Sequence, residues 1–328
     1  MKPPAESTTS SRGMGMVVAV CIAVGAISVA ATMAFGRVSP AFKGAGPSPS
    51  ASSTSEEYGR RLISQTPEFM GPDVADPKMR HMDSRLACAS CHIGAGLEPG
   101  NLSLATAFTK YPRISPRSGG NETIEDRING CMMRSMNGRA LPEKSPEMLA
   151  MVAYLRFLAD QDAATGATQR KAHEPPAFKT PSRAADLKAG QKVFDKRCAA
   201  CHGPDGSGLA AAPDLVHGYV FPPLWGPNSF NDGAGMHRVL TAARFIKARM
   251  PLGSADLSDD DAFDVAAFIN SKPRPEMQGL DRDYPDRTKK PVDTGYLPYA
   301  DSFPLAQHRF GPFAPIEAFY KHTAKPSK

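Results

Sequence analysis

The chain has 328 residues, 41% of them hydrophobic, with a formal net charge of +6. That length accommodates two domains of ordinary size. The basic residues are dispersed, which argues against a nucleic-acid binder and leaves a small anion or an acidic protein as the better partner. The 31 prolines and 28 glycines predict few helices joined by long irregular segments, and no stretch alternates as a half-buried strand would.

Met14 to Phe35 is uncharged and largely apolar, with Lys2 and Arg12 before it and Arg37 after it. Such a run is long enough to span a bilayer, and Arg12 fits an N-terminus left in the cytoplasm. Small residues between Ala30 and Ala34 offer the alternative of a cleaved signal peptide; the length of the run favours an uncleaved anchor. Residues 1–37 are thus a signal anchor or signal peptide, and residues 38–54, rich in Ser, Pro, Ala and Gly, a flexible tether. Either way the remainder is exported.

Ser55 to Ser64 reads as a first helix, with Tyr58, Leu62 and Ile63 apolar and Glu56 and Glu57 near its start. Cys88-Ala89-Ser90-Cys91-His92 follows, and it recurs as Cys198-Ala199-Ala200-Cys201-His202. C-x-x-C-H is the attachment signature of c-type haem: two thiols form thioethers and the adjacent His reaches the iron. A zinc site or a thioredoxin-like pair would also use C-x-x-C. Zinc would gather its ligands into one place, whereas these pairs lie far apart, and no βαβ pattern surrounds either. Cys88, Cys91, Cys198 and Cys201 are therefore expected to hold two covalent haems, with His92 and His202 on the irons.

Gly94 to Gly120 is mostly loop, and a second helix begins near Asn121 or Thr123, where Glu122, Glu125 and Asp126 suit its positive end. On that helix Arg127, Cys131 and Ser135 fall at i, i+4 and i+8, along one face. Arg134 is also within reach of Cys131. Guanidinium groups favour the thiolate, which is both a nucleophile and an iron ligand. Residues 101–140 carry an excess of three positive charges, suited to a small dianion. On residue types alone, Cys131 could equally be a buried thiol, with Met132, Met133 or Met136 as the iron's sixth ligand. Ser145 then caps a helix with an apolar stripe from Met148 to Leu158, closing a first domain, residues 55–160.

Residues 161–184 read as a linker. A second domain, residues 185–272, repeats the order: a helix from Asp186 to Phe194, the haem motif, a Gly- and Pro-rich loop, a helix from about Gly235 to Ala248, and a closing helix capped by Ser258. Met250, in a Met-Pro setting, is the expected sixth ligand of the second iron, ahead of Met236, His217 and His237; thioether ligation raises a haem's potential. The tail, residues 273–328, holds many prolines and aromatics and is expected to wrap the domains as ordered coil. The fold class is mainly α: two fused cytochrome c domains with long irregular loops and a wrapping tail, preceded by an N-terminal membrane segment.

Arg127 to Pro142 (RINGCMMRSMNGRALP), Phe221 to Met236 (FPPLWGPNSFNDGAGM) and the tail from Pro291 to Pro315 resemble the dihaem thiosulfate dehydrogenase/tetrathionate reductase family. The resemblance implies that His92 and Cys131 bind the first haem and that two thiosulfates are joined there to tetrathionate, or the reverse. It implies substrate-site roles for Arg127, Ser135 and Arg117, with electrons passing from the first haem to the second and on to an external acceptor such as a small cytochrome c. Some members place a Lys beside the second haem's Met and exchange the two on reduction; this chain has Arg249 there, and Lys247 is the nearest substitute. A periplasmic location follows. The haem motifs by themselves also fit a non-catalytic, membrane-tethered dihaem electron carrier, a subunit of a sulfur-oxidising complex, or a dihaem peroxidase.

Overall fold

The computed structural model describes residues 54–100, 102–165 and 177–323. The expected membrane segment, all of the tether but Thr54, and residues 166–176 of the linker lie outside them. Among the described residues no helix is long and apolar enough to cross a membrane.

The first half is built on two crossing helices. Helix α1, Ser55–Ser64, starts where the Thr54 hydroxyl accepts from the Glu57 amide, and it turns Tyr58, Leu62 and Ile63 inward. A short α2, Thr66–Met70, follows. Helix α3, Ile124–Arg134, begins in a reciprocal cap between Thr123 and Asp126, the stop-start signal that the acidic cluster announces. Helix α4, Pro146–Thr165, lies across α1, and a Cβ on Gly59 would overlap the Ala150 carbonyl, so only glycine permits this approach. Five methionines, Met70, Met82, Met132, Met136 and Met148, are almost wholly buried in the core between them. Unbranched thioethers suit the irregular wall that a flat prosthetic group requires.

The second half repeats the device. Helix α5, Leu187–Arg197, is capped by Asp186, and the four-residue α6, Ala199–His202, carries the end of the second haem motif. Helix α7, Val239–Arg249, precedes α8, Asp259–Asn270, which Ser258 caps at Asp261. Gly190 of α5 meets the Asp264 carbonyl of α8 as Gly59 meets Ala150. Phe194, Ala243, Phe263 and Ala266 form a separate core. Residues 177–184 of the expected linker pack on this half, with Arg183 bonded in two places to Asp264 at 2.7 and 2.9 Å.

Three details depart from the sequence reading, the first being that α4 continues to Thr165, into the expected linker. Strand pairing exists, as two small antiparallel ribbons: β1, Arg113–Ile114, with β2, Asn121–Glu122, and β3, Leu209–Ala210, with β4, Tyr219–Phe221. Segments of two or three residues are too short to show periodicity. The tail is ordered but not all coil: α9, Leu305–Phe310, and α10, Ala314–Thr323, bury Phe313 and Ile316 completely in the second core. Each such side chain contributes roughly 1.5–3 kcal/mol by leaving water.

The tail also completes what the domains lack. Arg238 gives α7 no side-chain cap, and Asp293 supplies one from 53 residues away, accepting from the Leu240 amide at 3.0 Å while it pairs with Arg238 at 2.7 Å. Between α8 and α9 the chain crosses to the first half, where Asp283 meets Arg134 at 2.8 Å with both side chains about nine-tenths buried. Tyr296 donates to the other Asp283 oxygen at 2.7 Å.

Candidate functional site

A cavity of about 1110 Å³ opens in the first half, lined among others by Cys88, Cys91, His92, Arg117, Arg127 and Cys131. It exceeds the roughly 300–1,000 Å³ of a common small-ligand pocket. Ser135, the C-cap of α3, lines it as well, so the three residues read along one helix face do share one space. Gly130, beside Cys131, has only the tip of Arg127 within 4 Å of where a Cβ would stand, which keeps this wall open.

Two ligand-type side chains meet here. His92 Nδ1 is bonded to the Leu102 carbonyl at 2.7 Å, which leaves Nε2 as the free nitrogen. The His92 ring in turn favours the Cys131 thiolate. Met132 and Met136 are 1% and 2% exposed and pack in the core. With Met133, they also line this cavity.

Electrostatics separates this thiol from the others. Burial raises the Cys88, Cys91 and Cys198 thiols, to about 11, 12 and 11. Burial acts on Cys131 too, but the Arg127 charge, the His92 hydrogen bond and the Arg117 charge outweigh it and bring the thiol down to about 7. A thiolate so favoured is a ligand and a nucleophile at neutral pH.

Arg134 does not serve Cys131 as its spacing allows. Its guanidinium turns to Asp283 and to the Gly233 carbonyl at 3.1 Å, bracing the first half against the tail and the second half. Arg117 has a partner that sequence reading missed. The Tyr284 amide donates to the Arg117 carbonyl at 2.7 Å, and the Arg117 guanidinium lies over the Tyr284 ring and 3.5 Å from its hydroxyl. Tyr284 is buried, lines the cavity and holds φ +57, a left-handed conformation that costs a bulky residue strain. The tail is thereby one wall of the site.

The second motif is placed similarly. His202 Nδ1 is bonded to the Pro222 carbonyl at 2.8 Å, which leaves Nε2 as the free nitrogen, and burial holds its pKa below the ordinary histidine value. Cys198 lies in the second core, and Met250, ending α7, packs against that core. Met236 packs against both cores and lines the first cavity. His217 is tied to Glu68 at 3.0 Å on the surface, while His237 is bonded to the Asp232 carbonyl. Neither histidine joins the second core. Lys247 donates to the Leu257 carbonyl, and Arg249 donates to the carbonyls of Glu98 and Pro99.

The two Cys pairs sit at separate cores, each with its own buttressed histidine, which fits two haems and not one gathered zinc site. Comparison with known proteins agrees. A SoxA/TsdA cytochrome c domain model matches residues 78–162 and a cytochrome c model matches residues 187–273. The thiosulfate dehydrogenase of Allochromatium vinosum is 44% identical over 225 residues, covering 67% of this chain and 78% of that protein. The chain belongs to the thiosulfate dehydrogenase family. The Psychrobacter arcticus thiosulfate dehydrogenase is 40% identical over 63% of this chain and 62% of its own length. Among solved structures, thiosulfate dehydrogenase (TsdBA) from Marichromatium purpuratum aligns with a TM-score of 0.59 and 32% identity, over 72% of this chain and 50% of that one. Like other members of the family, the chain is a mainly helical oxidoreductase with two c-type haems.

Proposed function

We propose that this protein joins two thiosulfates into tetrathionate in the periplasm, with Cys131 as the reacting thiol. The observation that carries the reading is Cys131 itself, brought to about 7 by two arginines and a histidine inside a cavity next to a haem motif. When bound, the haem held by Cys88, Cys91 and His92 serves as electron sink beside the thiol, and the one held by Cys198, Cys201 and His202, with Met250, relays electrons outward.

The chain's own residues account for the rest. The Cys131 thiolate bonds to the outer sulfur of one thiosulfate, forming a Cys–S–S–SO₃⁻ adduct with the loss of two electrons. A second thiosulfate attacks the adduct's outer sulfur, forms the central bond of tetrathionate, and returns the Cys131 thiolate. The first dianion must approach an anionic thiolate, and the second an adduct that carries a sulfonate. Arg127 and Arg117 offset that repulsion. Ser135 offers a hydroxyl on the same wall to orient a sulfonate oxygen.

Residues 55–165, to the end of α4, form the catalytic domain, 177–272 the electron-transfer domain and 273–328 a tail that closes the site. The segment 1–37 directs export and, if uncleaved, anchors the protein to the inner membrane. The electron acceptor is a small cytochrome c or another respiratory-chain component. Mixing the oxidised holoprotein with thiosulfate tests the reading: rapid haem reduction with tetrathionate in the same tube is expected. Intact haems that dithionite reduces and thiosulfate does not, together with no reduction of tetrathionate, would refute it.

A further inference from the structure

We propose that Arg249 is a positioning residue for the first haem centre, strapping from the second domain the loop that orients His92. Its side chain ends the last turn of α7, immediately before Met250. Its Nη2 donates to the Glu98 carbonyl at 3.1 Å and to the Pro99 carbonyl, 151 and 150 residues away. The side chain is 15% exposed, and the Glu98 carboxylate lies 4.0 Å off. The grip is thus on main-chain oxygens, with the carboxylate at the margin of ion-pair range.

What it grips is the loop that returns to the iron ligand. From His92 the chain folds back through Gly96, whose amide donates to the His92 carbonyl at 2.8 Å and whose carbonyl accepts from the Leu104 amide at 2.9 Å. Leu102, three residues beyond Pro99, offers the carbonyl that takes the His92 Nδ1 proton at 2.7 Å. Ala95 and Leu102 hold φ of +56 and +65. Non-glycine residues stay in that region only where their surroundings over-determine it. Arg249 Nη2, donating to both carbonyls, is one such determinant, and the pre-organised guanidinium loses less rotamer freedom in holding them than a flexible ammonium would.

The consequence is electronic as well as mechanical. The bond from Nδ1 to a carbonyl makes imidazole a stronger donor, stabilising oxidised iron and lowering the centre's potential. Releasing the strap lets Leu102 drift and weakens that bond. The first centre's potential therefore depends on a contact made by the residue beside the second centre's ligand. This rests on His92 and Cys131 as the first iron's ligands and needs no assumption about substrate.

Arg249→Gln, Arg249→Lys and Glu98→Gln holoproteins test it by spectroelectrochemical titration and by electron paramagnetic resonance of the oxidised form without thiosulfate. The first centre's potential should rise in Arg249→Gln, rise less in Arg249→Lys and stay put in Glu98→Gln. The second centre's methionine-dependent absorption and potential should not move. Lowered thermal stability with an unmoved first centre would reduce Arg249 to a structural tie and overturn the proposal. So would a shift confined to the second centre, or one reproduced by Glu98→Gln. An unmodified protein lacking a thiolate–imidazole signal would overturn the ligand assignment, and the strap with it.

Discussion

Asp283→Asn isolates the contribution of the tail to the site. Asp283 takes a charged hydrogen bond from Arg134 at 2.8 Å and another from Tyr296 at 2.7 Å, with the ion pair about nine-tenths buried. Removing one partner of such a pair strands a buried cation and costs about 3–5 kcal/mol. Arg134 keeps its bond to the Gly233 carbonyl, which places the expected loss near the lower end of that range. Replacing both partners with apolar residues, Arg134→Met with Asp283→Leu, removes the stranded charge; only Tyr296 and Gly233 then lack partners, at about 1–3 kcal/mol each at most. Two orphaned groups at that figure sum to about 2–6 kcal/mol, so the double variant should lose at least about as much as Asp283→Asn while no longer stranding a charge. Tyr284 is the next residue, so the single change should also slacken Arg117 and raise the KM for thiosulfate about tenfold, equivalent to ~1.4 kcal/mol. Guanidinium unfolding followed at the haem band, with steady-state kinetics, reads both. A stability loss below about 1 kcal/mol would show that the pair is solvated rather than buried, and an unchanged KM would show that the tail is no part of the substrate wall.

Cys131→Gly should abolish thiosulfate turnover while both haems stay covalently attached, as heme-stained gels and pyridine spectra would register; full activity would eliminate the thiol's role. Tyr284→Phe removes only the 3.5 Å contact to Arg117 and should raise KM about two- to fivefold, the worth of a weak hydrogen bond, with kcat nearly unchanged. His237, lowered from 6.5 to about 4 by burial and then by Arg274, is neutral in the fold and charged in the acid-unfolded chain. Its contribution is complete above pH 6.5 and is lost as pH falls towards 4, roughly 3 kcal/mol at most. His237→Asn should flatten the acid limb of the stability curve between those values.

The haem motifs, the Ser258 cap and the shared face of Arg127, Cys131 and Ser135 were legible because each rests on spacing within a dozen residues. Arg134 shows where that reasoning stops. Local spacing pointed it at Cys131, but a carboxylate 149 residues away claims it. Tyr284 had no local signal, since its role comes from a left-handed backbone and a contact across 167 residues. The aromatics from Tyr296 to Phe319 were the available hint that the tail was built for burial and not for solvent. Met236 and Met250 could be ranked by their loops, but only packing separates a residue touching both cores from one touching the second.

Charge in the first cavity is divided in a way that bears on why it is a catalytic site and not merely a haem pocket. Arg113 is neutralised by Glu122, Arg134 by Asp283 and Arg238 by Asp293. Arg117 and Arg127 also line the cavity, yet neither has a carboxylate within ion-pair distance among the described residues, and their charge falls on Cys131. Two like charges facing one cavity, Arg127 exposed and Arg117 half-buried, repel each other at a cost that a protein relaying only electrons has no reason to bear. That cost is offset if a dianion arrives to meet them. The same uncompensated field that lowers the thiol in the resting protein then neutralises the incoming thiosulfate, so activation of the nucleophile and recruitment of its anionic partner share one cause.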